Sequence, residues 1–195
     1  SLVQTSGTGQ TNLAGDVTTS TATGVNITTD NIRLGGITID TSAGNGAARF
    51  NAPTVLGSND VTVTAGAGNI TFEDTLDGGH SLTLNSSGVE RFNGAVGFTT
   101  ALTSITTDAP GTVVFNAGSV RTNGAQTYND AAVLVSDTTL TTLNPALADV
   151  GITFASTING TTAGSQSLSI VDAGQTTLSG AIGGTTALNN LTVDT

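Results

Sequence analysis

The feature that most constrains the fold of this chain is an internal repeat. Three similar stretches open at residues 1–4, 81–84 and 167–170, which read SLVQ, SLTL and SLSI. The likeness continues downstream, where 86–97 (SSGVERFNGAVG) matches 172–183 (DAGQTTLSGAIG). The first two copies are offset by 78 to 80 residues, and the second and third by 86. Repeats of this kind build stacked architectures in which each unit contacts its neighbours, so we expect a solenoid.

Within each copy, apolar residues alternate with Thr or Ser. The pattern recurs as ITI at 37–39, VTV at 61–63, ITF at 70–72, LTL at 82–84, ITF at 152–154 and LSI at 168–170. A period of two is typical of a half-buried β-strand. Gly, Asn or Asp interrupts these runs about every 8 to 12 residues. The sequence therefore predicts an all-β fold of short strands.

Phenylalanine indicates the length of one turn. Phe50, Phe72, Phe92 and Phe115 are 22, 20 and 23 residues apart, and three of them precede Asn. Coils of 20–23 residues predict a parallel β-helix, a single solenoid of about nine coils over residues 1–195 and on the order of 40 Å long. Each complete long repeat, 1–80 and 81–166, would contain four coils, and 167–195 would be a partial copy. We expect the Phe rings to stack inside and the amides of Asn51, Asn93 and Asn116 to form a ladder.

Two insertions test this interpretation. One lies at 160–164 and the other at 144–148, where Asn144 as cap and Pro145 at the first helical position predict one helical turn. Both fall between predicted strands, where a solenoid tolerates extra residues.

The rival fold is a tandem of all-β sandwiches of about 80 residues each. It does not explain the shorter period, and a sandwich core usually needs more aromatic residues than the 4% present here.

The charge balance excludes several classes of partner. Only 9% of residues are charged, the net charge is −10, and there is no Lys. Nucleic acid and anionic lipid both need clustered basic residues, so neither is expected as a partner.

Without Cys there is no disulfide or thiolate metal site. No apolar stretch reaches 18 residues and no signal peptide opens the chain, so we expect no membrane insertion. The chain starts on a repeat boundary and stops inside the third copy, which indicates a segment of a longer protein.

No residue is assigned to a catalytic, cofactor-binding or metal site. A phosphate loop needs Lys, which is absent. His80 is the one histidine and is predicted in an exposed loop. The glycine run at 44–49 (GNGAAR) has no following helix and is interpreted as a turn.

The carboxylates also receive structural interpretations. Asp30, Asp108 and Asp194 follow similar strands in the three copies, so we expect turn residues four coils apart, about 19 Å along the rod. The cluster at 73–77 (Glu73, Asp74 and Asp77) offers weak Ca²⁺ binding, but 155–159 in the next copy lacks its carboxylates, so surface charge is favoured.

The basic residues argue against an enzyme on acidic polysaccharide. A glycosidase needs two carboxyl groups about 5 to 10 Å apart in a groove, which adjacent coils can supply at many places. The four arginines, however, are scattered along the chain as Arg33, Arg49, Arg91 and Arg121. Arg49 and Arg91 each precede Phe-Asn, and we expect both in one turn column, two coils apart, covering the coil edge. The chain is therefore predicted not to be an enzyme.

Several motifs carry a family resemblance. ITF at 70–72, SLTL at 81–84, RFNGAVG at 91–97 and TALTSIT at 100–106 resemble repeats of filamentous haemagglutinins and autotransporter adhesins of bacteria. The resemblance implies a right-handed β-helical stalk, secretion to the outer cell surface, and a role in adhesion. Its implied partners are further copies of the repeat in the parent chain or end-to-end neighbours, with host or matrix glycan bound through another module.

We therefore expect a structural stalk or fibre segment of an exported surface protein. One alternative is direct binding of glycan or ice by outward Thr, of which 20–23 and 61–64 show pieces. Asp, Asn and Gly interrupt that array. The second alternative is a filament subunit that assembles end to end through open coil ends.

Overall fold

The computed structural model describes residues 1–144, 146 and 150–194. It is an all-β solenoid of about eight turns, in which parallel strands stack into sheets along three faces. The predicted parallel β-helix is confirmed, with about eight turns where nine were expected. Tandem sandwiches are excluded because their sheets are antiparallel. At about 4.8 Å per turn the rod is about 38 Å long.

Sheets 1 and 3 each contain eight strands, and sheet 2 is divided into two groups of four. Sheet 1 contains β1 (Leu2–Gln4), β4 (Val25–Ile27), β7 (Ala48–Phe50), β10 (Ile70–Phe72), β13 (Val89–Phe92), β15 (Thr112–Phe115), β18 (Ala131–Leu134) and β21 (Ile158–Gly160). Sheet 2 contains β2 (Gln10–Leu13), β5 (Asn31–Leu34), β8 (Thr54–Leu56) and β11 (Leu76–Asp77), then β16 (Ser119–Thr122), β19 (Thr138–Thr142), β22 (Ser167–Val171) and β24 (Asn190–Asp194). Sheet 3 contains β3 (Val17–Thr18), β6 (Thr38–Asp40), β9 (Val61–Gly66), β12 (Leu82–Ser86), β14 (Ile105–Thr107), β17 (Gln126–Tyr128), β20 (Ile152–Phe154) and β23 (Thr177–Leu178).

The core is a column of inward side chains, because alternate residues of each strand point inside. Phe50, Phe72, Phe92 and Phe115 stack in sheet 1 with ring centroids 4.9, 5.8 and 6.3 Å apart, as predicted. The aromatic column then moves to sheet 3, where Tyr128 and Phe154 stack at 4.9 Å and Phe115 meets Tyr128 edge-on. Phe98 lies outside the column and is 66% exposed.

Asp and Asn side chains tie successive turns together. Asp16 accepts a hydrogen bond from the Thr38 amide at 2.8 Å, and Asp60 accepts one from the Ser81 amide at 2.8 Å. Such bonds satisfy main-chain donors where the chain turns between sheets. Most acids of the chain are therefore part of the scaffold.

The predicted Asn ladder forms only in part. Asn116 donates to the Asn93 side chain at 3.3 Å, but Asn93 donates to Glu73 at 2.6 Å, because Glu73 occupies the ladder position one turn earlier. Asn51 bonds instead to Asn26 at 2.7 Å. The ladder position is thus shared by different polar side chains.

Turn length varies more than the Phe spacing indicated. Paired residues of sheet 1 are 19 apart from Val113 to Ala132 and 26 apart from Ala132 to Ile158. The insertion predicted at 160–164 begins at the last residue of β21 and otherwise lies between β21 and β22. The one predicted at 144–148 falls, in sequence, between β19 and β20. The helical turn predicted at 144–148 lies mostly outside the described residues, although the Ala146 amide donates to the Asn144 side chain at 3.1 Å.

The three long repeats begin on three different faces of the solenoid. Their opening strands are β1 in sheet 1, β12 in sheet 3 and β22 in sheet 2. The prediction of four coils per copy is wrong. Each copy contains eleven strand positions, counting the bridge residue Val96 as one. With three strands per turn, eleven positions make three and two-thirds turns. Each copy therefore begins on a new face.

Local structure nevertheless follows the repeat. GAVGFTTAL at 94–102 and GAIGGTTAL at 180–188 form the same outward bend, which begins at Gly97 (φ 67°) in one and Gly183 (φ 66°) in the other. Each bend is held by a side chain from the preceding turn: Asp77 accepts amides of Thr99 and Thr100, and Asn159 accepts amides of Thr185 and Thr186. The first bend interrupts sheet 2, where Val96 links Leu76 to Val120 by single bridges.

Candidate functional site

The outward face of sheet 3 carries a column of seven threonines. They occupy paired positions on consecutive strands, and each is half-buried or exposed. The column runs through Thr38, Thr62, Thr83, Thr106, Thr127, Thr153 and Thr177. Adjacent hydroxyl-bearing residues are therefore spaced by the strand separation, about 4.8 Å.

The neighbouring column on the same face is mixed. Its paired positions hold Asp40, Thr64 and Asn85, and Asn85 donates to Thr64 at 3.3 Å. A regular two-column threonine array is thus not present on these strands. The pieces at 20–23 and 61–64 suggested a less regular threonine array than sheet 3 has. Each strand contributes a single central Thr to the column, and only the pairing of the strands brings these residues into line.

The outward face of sheet 1 carries Arg49 and Arg91. They are two turns apart in one column with Thr71 between them, as predicted, but they lie on strands and not in a turn. Arg49 forms an ion pair with Glu73 at 2.6 Å.

The other two arginines contact the main chain of a neighbouring turn. Arg33 donates to the Gly57 carbonyl at 2.5 Å, and Arg121 donates to the Phe98 carbonyl at 3.0 Å. Covering of coil edges by guanidinium, which we expected of Arg49 and Arg91, is therefore observed for Arg33 and Arg121.

The acids considered for Ca²⁺ at 73–77 do not converge. Glu73 contacts Arg49 and Asn93, while Asp74 accepts the adjacent Thr75 amide at 2.7 Å. Asp77 accepts the amides of the outward bend described above. Each carboxylate therefore has its own structural partner.

The three repeated aspartates are associated with strands of three different sheets: Asp30 follows β4 of sheet 1, Asp108 follows β14 of sheet 3 and Asp194 ends β24 of sheet 2. Asp30 accepts the Gly9 amide at 2.9 Å and Asp108 accepts the Ser86 amide at 2.7 Å, each from the turn before. Their interpretation as turn residues is confirmed for Asp30 and Asp108, but the expected common column four coils apart is wrong.

One group of carboxylates does converge. Glu90 on β13, Asp108 after β14 and Asp130 before β18 each place a carboxylate oxygen within 4.8 Å of the others. Among the described residues this is the one group of three or more possible His, Cys, Asp or Glu ligands. It lies where the chain passes from sheet 3 to sheet 1.

This carboxylate cluster is buried. Glu90 is 0% and Asp130 1% exposed, while Asp108 is half-buried. Burial, with the charges of Asp130 and Asp108 in addition, raises the pKa of Glu90 to about 10. Burial also raises the pKa of Asp130. A polysaccharide cannot enter between enclosed carboxylates, so the cluster does not have the open geometry that glycosidase chemistry requires.

The sequence contained a signal for Glu90. In the strand VERF at 89–92, alternation puts Glu90 on the same side as Phe92, which was predicted to point inside. Its meeting with Asp130, from a later turn, depends on the lengths of the intervening loops. Asp108 was considered only as a turn residue.

Two further predicted loop positions are where the pattern placed them. His80 lies in the loop between β11 and β12, as predicted, but it is half-buried where exposure was expected, and its carbonyl accepts the Thr103 amide at 3.0 Å. The glycine run at 44–49 contains the end of a 3-10 turn (Ser42–Gly44), then Asn45 at φ 49°, and leads into β7. Among the described residues no helix is long and apolar enough to span a membrane.

Comparisons with protein-family models, curated protein sequences and solved structures produced no match to this chain.

Proposed function

We propose that this chain is a structural rod, a stalk or fibre segment of a large exported bacterial surface protein, with no catalytic role. The observation that carries the proposal is the continuity of sheets 1 and 3, whose parallel strands connect all eight turns. Every turn is hydrogen-bonded to the next, so length and stiffness follow from the main chain.

The surface chemistry supports a spacer. The outward faces of sheets 2 and 3 contain many Thr, Ser and Asn residues, which remain hydrated without charge. Arg33 and Arg121 are bonded to the main chain, Arg49 is paired with Glu73, and many acids bond to amides of neighbouring turns. Few charged groups are left to recognise a ligand.

The motif resemblance at 91–97 and 100–106 supports export and a place on the bacterial surface. The strand edges of the two end turns support partners that are themselves β-solenoid coils. Leu2 and Leu191 are only half-buried, and Val3 and Val193 are exposed. Open parallel strand edges pair readily with further strands. Further coils of a parent chain, or neighbouring copies in a filament, would cover them.

Deletion of whole turns tests the rod. Removing 25–47 joins Gly24 to Ala48 and makes β7 the paired neighbour of β1, in the column where β4 now separates them. We expect a cooperatively folded protein shorter by about 4.8 Å in solution scattering. Removing 25–36, about half a turn, is the control and should abolish cooperative unfolding. If both deletions behave alike, the solenoid rod is wrong.

An attachment assay tests the stalk. The chain is displayed between a surface anchor and a defined binding module, and adhesion is measured with the whole-turn deletion and with outward substitutions on sheet 3. A stalk changes only the reach of the module. Adhesion that survives removal of the module would overturn the proposal.

Direct binding by sheet 3 is a second candidate, favoured by the column of seven threonines. An ordered hydroxyl row fits ice or a glycan chain. Thr106→Lys lies in the middle of the column, and Thr139→Lys on sheet 2 is the matched control. Direct ice binding requires thermal hysteresis that is lost in the first variant only, and direct glycan binding requires the same pattern on a glycan array.

A further inference from the structure

The carboxylate cluster of Glu90, Asp108 and Asp130 is unlike the other acids of the chain. The carboxyl groups of Glu90 and Asp130 adjoin each other, with Thr107 and the Ser86 amide beside them, but none of their four oxygens has a well-formed hydrogen bond to a donor, although both residues are at least 99% buried. The nearby Ser86 amide donates to Asp108 instead, at 2.7 Å. A buried carboxylate without donors is strongly disfavoured unless something neutralises it.

No protein cation does so. The ion pair found among the described residues, Arg49 with Glu73, lies elsewhere on sheet 1. Arg91 follows Glu90 directly, but alternation along β13 puts its side chain on the opposite, outward side. Neutralisation must therefore come from solution, either by a proton or by a cation.

We propose that Glu90, Asp108 and Asp130 bind a calcium ion inside the solenoid. Two unpartnered, fully buried side chains directed at the same point, with a third carboxylate beside them, form a set of hard oxygen ligands. Such ligands suit Ca²⁺ or Mg²⁺ and not the softer transition metals.

The enclosure of the carboxylates favours Ca²⁺. Ca²⁺ accepts about six to eight protein oxygens in flexible geometry, whereas Mg²⁺ demands near-ideal octahedral geometry and usually keeps several waters. The carboxylate oxygens lie within 4.8 Å of one another. Asp108 is half-buried and gives the ion a way in from solvent.

Neutral oxygens complete the surroundings. Thr107 Oγ is buried and also lacks a hydrogen-bond partner. The Ser86 carbonyl and Asp130 Oδ1 lie 2.4 and 2.6 Å from the point where a Cβ would stand on Gly111. Ser86 and Thr107 are thus available as additional oxygen ligands.

The position gives the ion a structural effect. Glu90, Asp108 and Asp130 belong to three successive turns, in the same part of the rod where sheet 2 is reduced to the bridges of Val96. An ion held by these turns would join them where main-chain pairing is thinnest. Calcium is then expected to stiffen the middle of the rod.

Terbium luminescence tests binding in the complete chain. Tb³⁺ substitutes for Ca²⁺ and is excited by energy transfer from a nearby tyrosine. Tyr128, the single tyrosine, is two residues from Asp130, so their Cα atoms are at most about 7 Å apart. We expect tyrosine-sensitised emission that saturates at one Tb³⁺ per chain and is displaced by Ca²⁺. Glu90→Gln and Asp130→Asn should lower the affinity at least tenfold, while the surface control Asp74→Asn should not.

Thermal unfolding gives an independent readout. Ca²⁺ should raise the Tm of the wild type and of Asp74→Asn relative to EDTA, but not that of Glu90→Gln, because a ligand stabilises only the state that binds it. Mg²⁺ at the same concentration should have a smaller effect.

Three results would overturn the proposal. They are a wild-type Tm equal in Ca²⁺ and EDTA, as expected if Glu90 and Asp130 only share a proton; a response retained in both cluster variants; and an equal response to Mg²⁺. Because the isosteric variants remove buried charge, they are expected to fold, and their Tm in EDTA verifies this.

Discussion

The segments beginning at Ser86 and Asp172 occupy matching positions in the second and third repeats, yet they hold their acids differently. In both, the first residue accepts a hydrogen bond from the glycine amide two residues later: Gly88 to Ser86 at 2.9 Å and Gly174 to Asp172 at 3.0 Å. In the third repeat the acid is this first residue. In the second repeat it is Glu90, at the position that Thr176 occupies in the third.

The displacement by four residues decides whether the carboxylate finds donors. Asp172 is 4% exposed and accepts hydrogen bonds from Thr142, Ile152, Gly174 and Thr176. Burial raises the pKa of Asp172, but these four bonds outweigh burial and leave the pKa below its usual value. Glu90 lacks such bonds, and its pKa rises. A buried acid in this solenoid is held either by protein donors or by a group from solution.

Removing the satisfied acid should have the largest effect. Asp172→Ala leaves four donors without their acceptor, and hydrogen bonds to a charged group contribute about 1.5–3 kcal/mol each, although not additively. We expect the free energy of unfolding to fall by about 4 kcal/mol in chemical denaturation. The control, Asp74→Ala, removes an exposed acid and should change it by less than about 1 kcal/mol. Equal losses in both variants would contradict the comparison.

Neutralising the unsatisfied acid should have the opposite sign. Glu90→Gln in EDTA at pH 7 mimics the protonated acid, and protonating a carboxyl about 2.5 pH units above its normal pKa costs about 3 kcal/mol. We expect a gain of about 2–3 kcal/mol in the free energy of unfolding. A loss of stability in EDTA would mean that Glu90 has hydrogen-bond donors that the structure does not contain.

Acid should weaken the third repeat. Because the pKa of Asp172 is lowered in the folded state, its stabilisation is present above the unfolded value of 3.8 and is lost as pH falls through the folded value. We expect Asp172→Asn to flatten the loss of stability between about pH 4 and pH 2. Glu90→Gln is the control: the pKa of Glu90 is raised, so Glu90 is protonated in both states in this range. Unfolding at several pH values measures both slopes.

The smallest effects come from the threonines beside each acid. Thr142 donates to Asp172 at 2.6 Å, so Thr142→Val should cost about 1.5–2 kcal/mol of unfolding free energy. Thr107 is fully buried without a partner, so Thr107→Val in EDTA should be neutral or stabilise by up to about 1 kcal/mol. Similar losses in the two variants would show that Thr107 has a hydrogen-bond partner after all.

Much of the fold was predictable because its signals are local. The alternation in VTV at 61–63 and LTL at 82–84 gives the strands, and the spacing of Phe50, Phe72 and Phe92 gives the turn. The outward bends after Gly97 and Gly183 also follow local sequence. Turn length between Ala132 and Ile158 was not predictable from this spacing, since it depends on an insertion after β19.

The carboxylate cluster was predictable only in part. Alternation puts Glu90 inside, but its partners Asp108 and Asp130 come from other elements, and their approach depends on two loops of different length. The sequence analysis assigned no role to Asp172, and nothing near it in sequence indicates donors from Thr142 and Ile152, 30 and 20 residues away.

By itself, the sequence determined the parallel solenoid, its aromatic column and the local form of each repeat, because strand alternation and turn chemistry act over a few residues. The tertiary structure alone decided the face on which each repeat begins. Each copy spans a third of a turn less than four turns, so similar strands such as 81–84 and 167–170 lie on different sheets. It also decided which acids meet donors and which meet each other, because those contacts join residues a full turn apart in the chain.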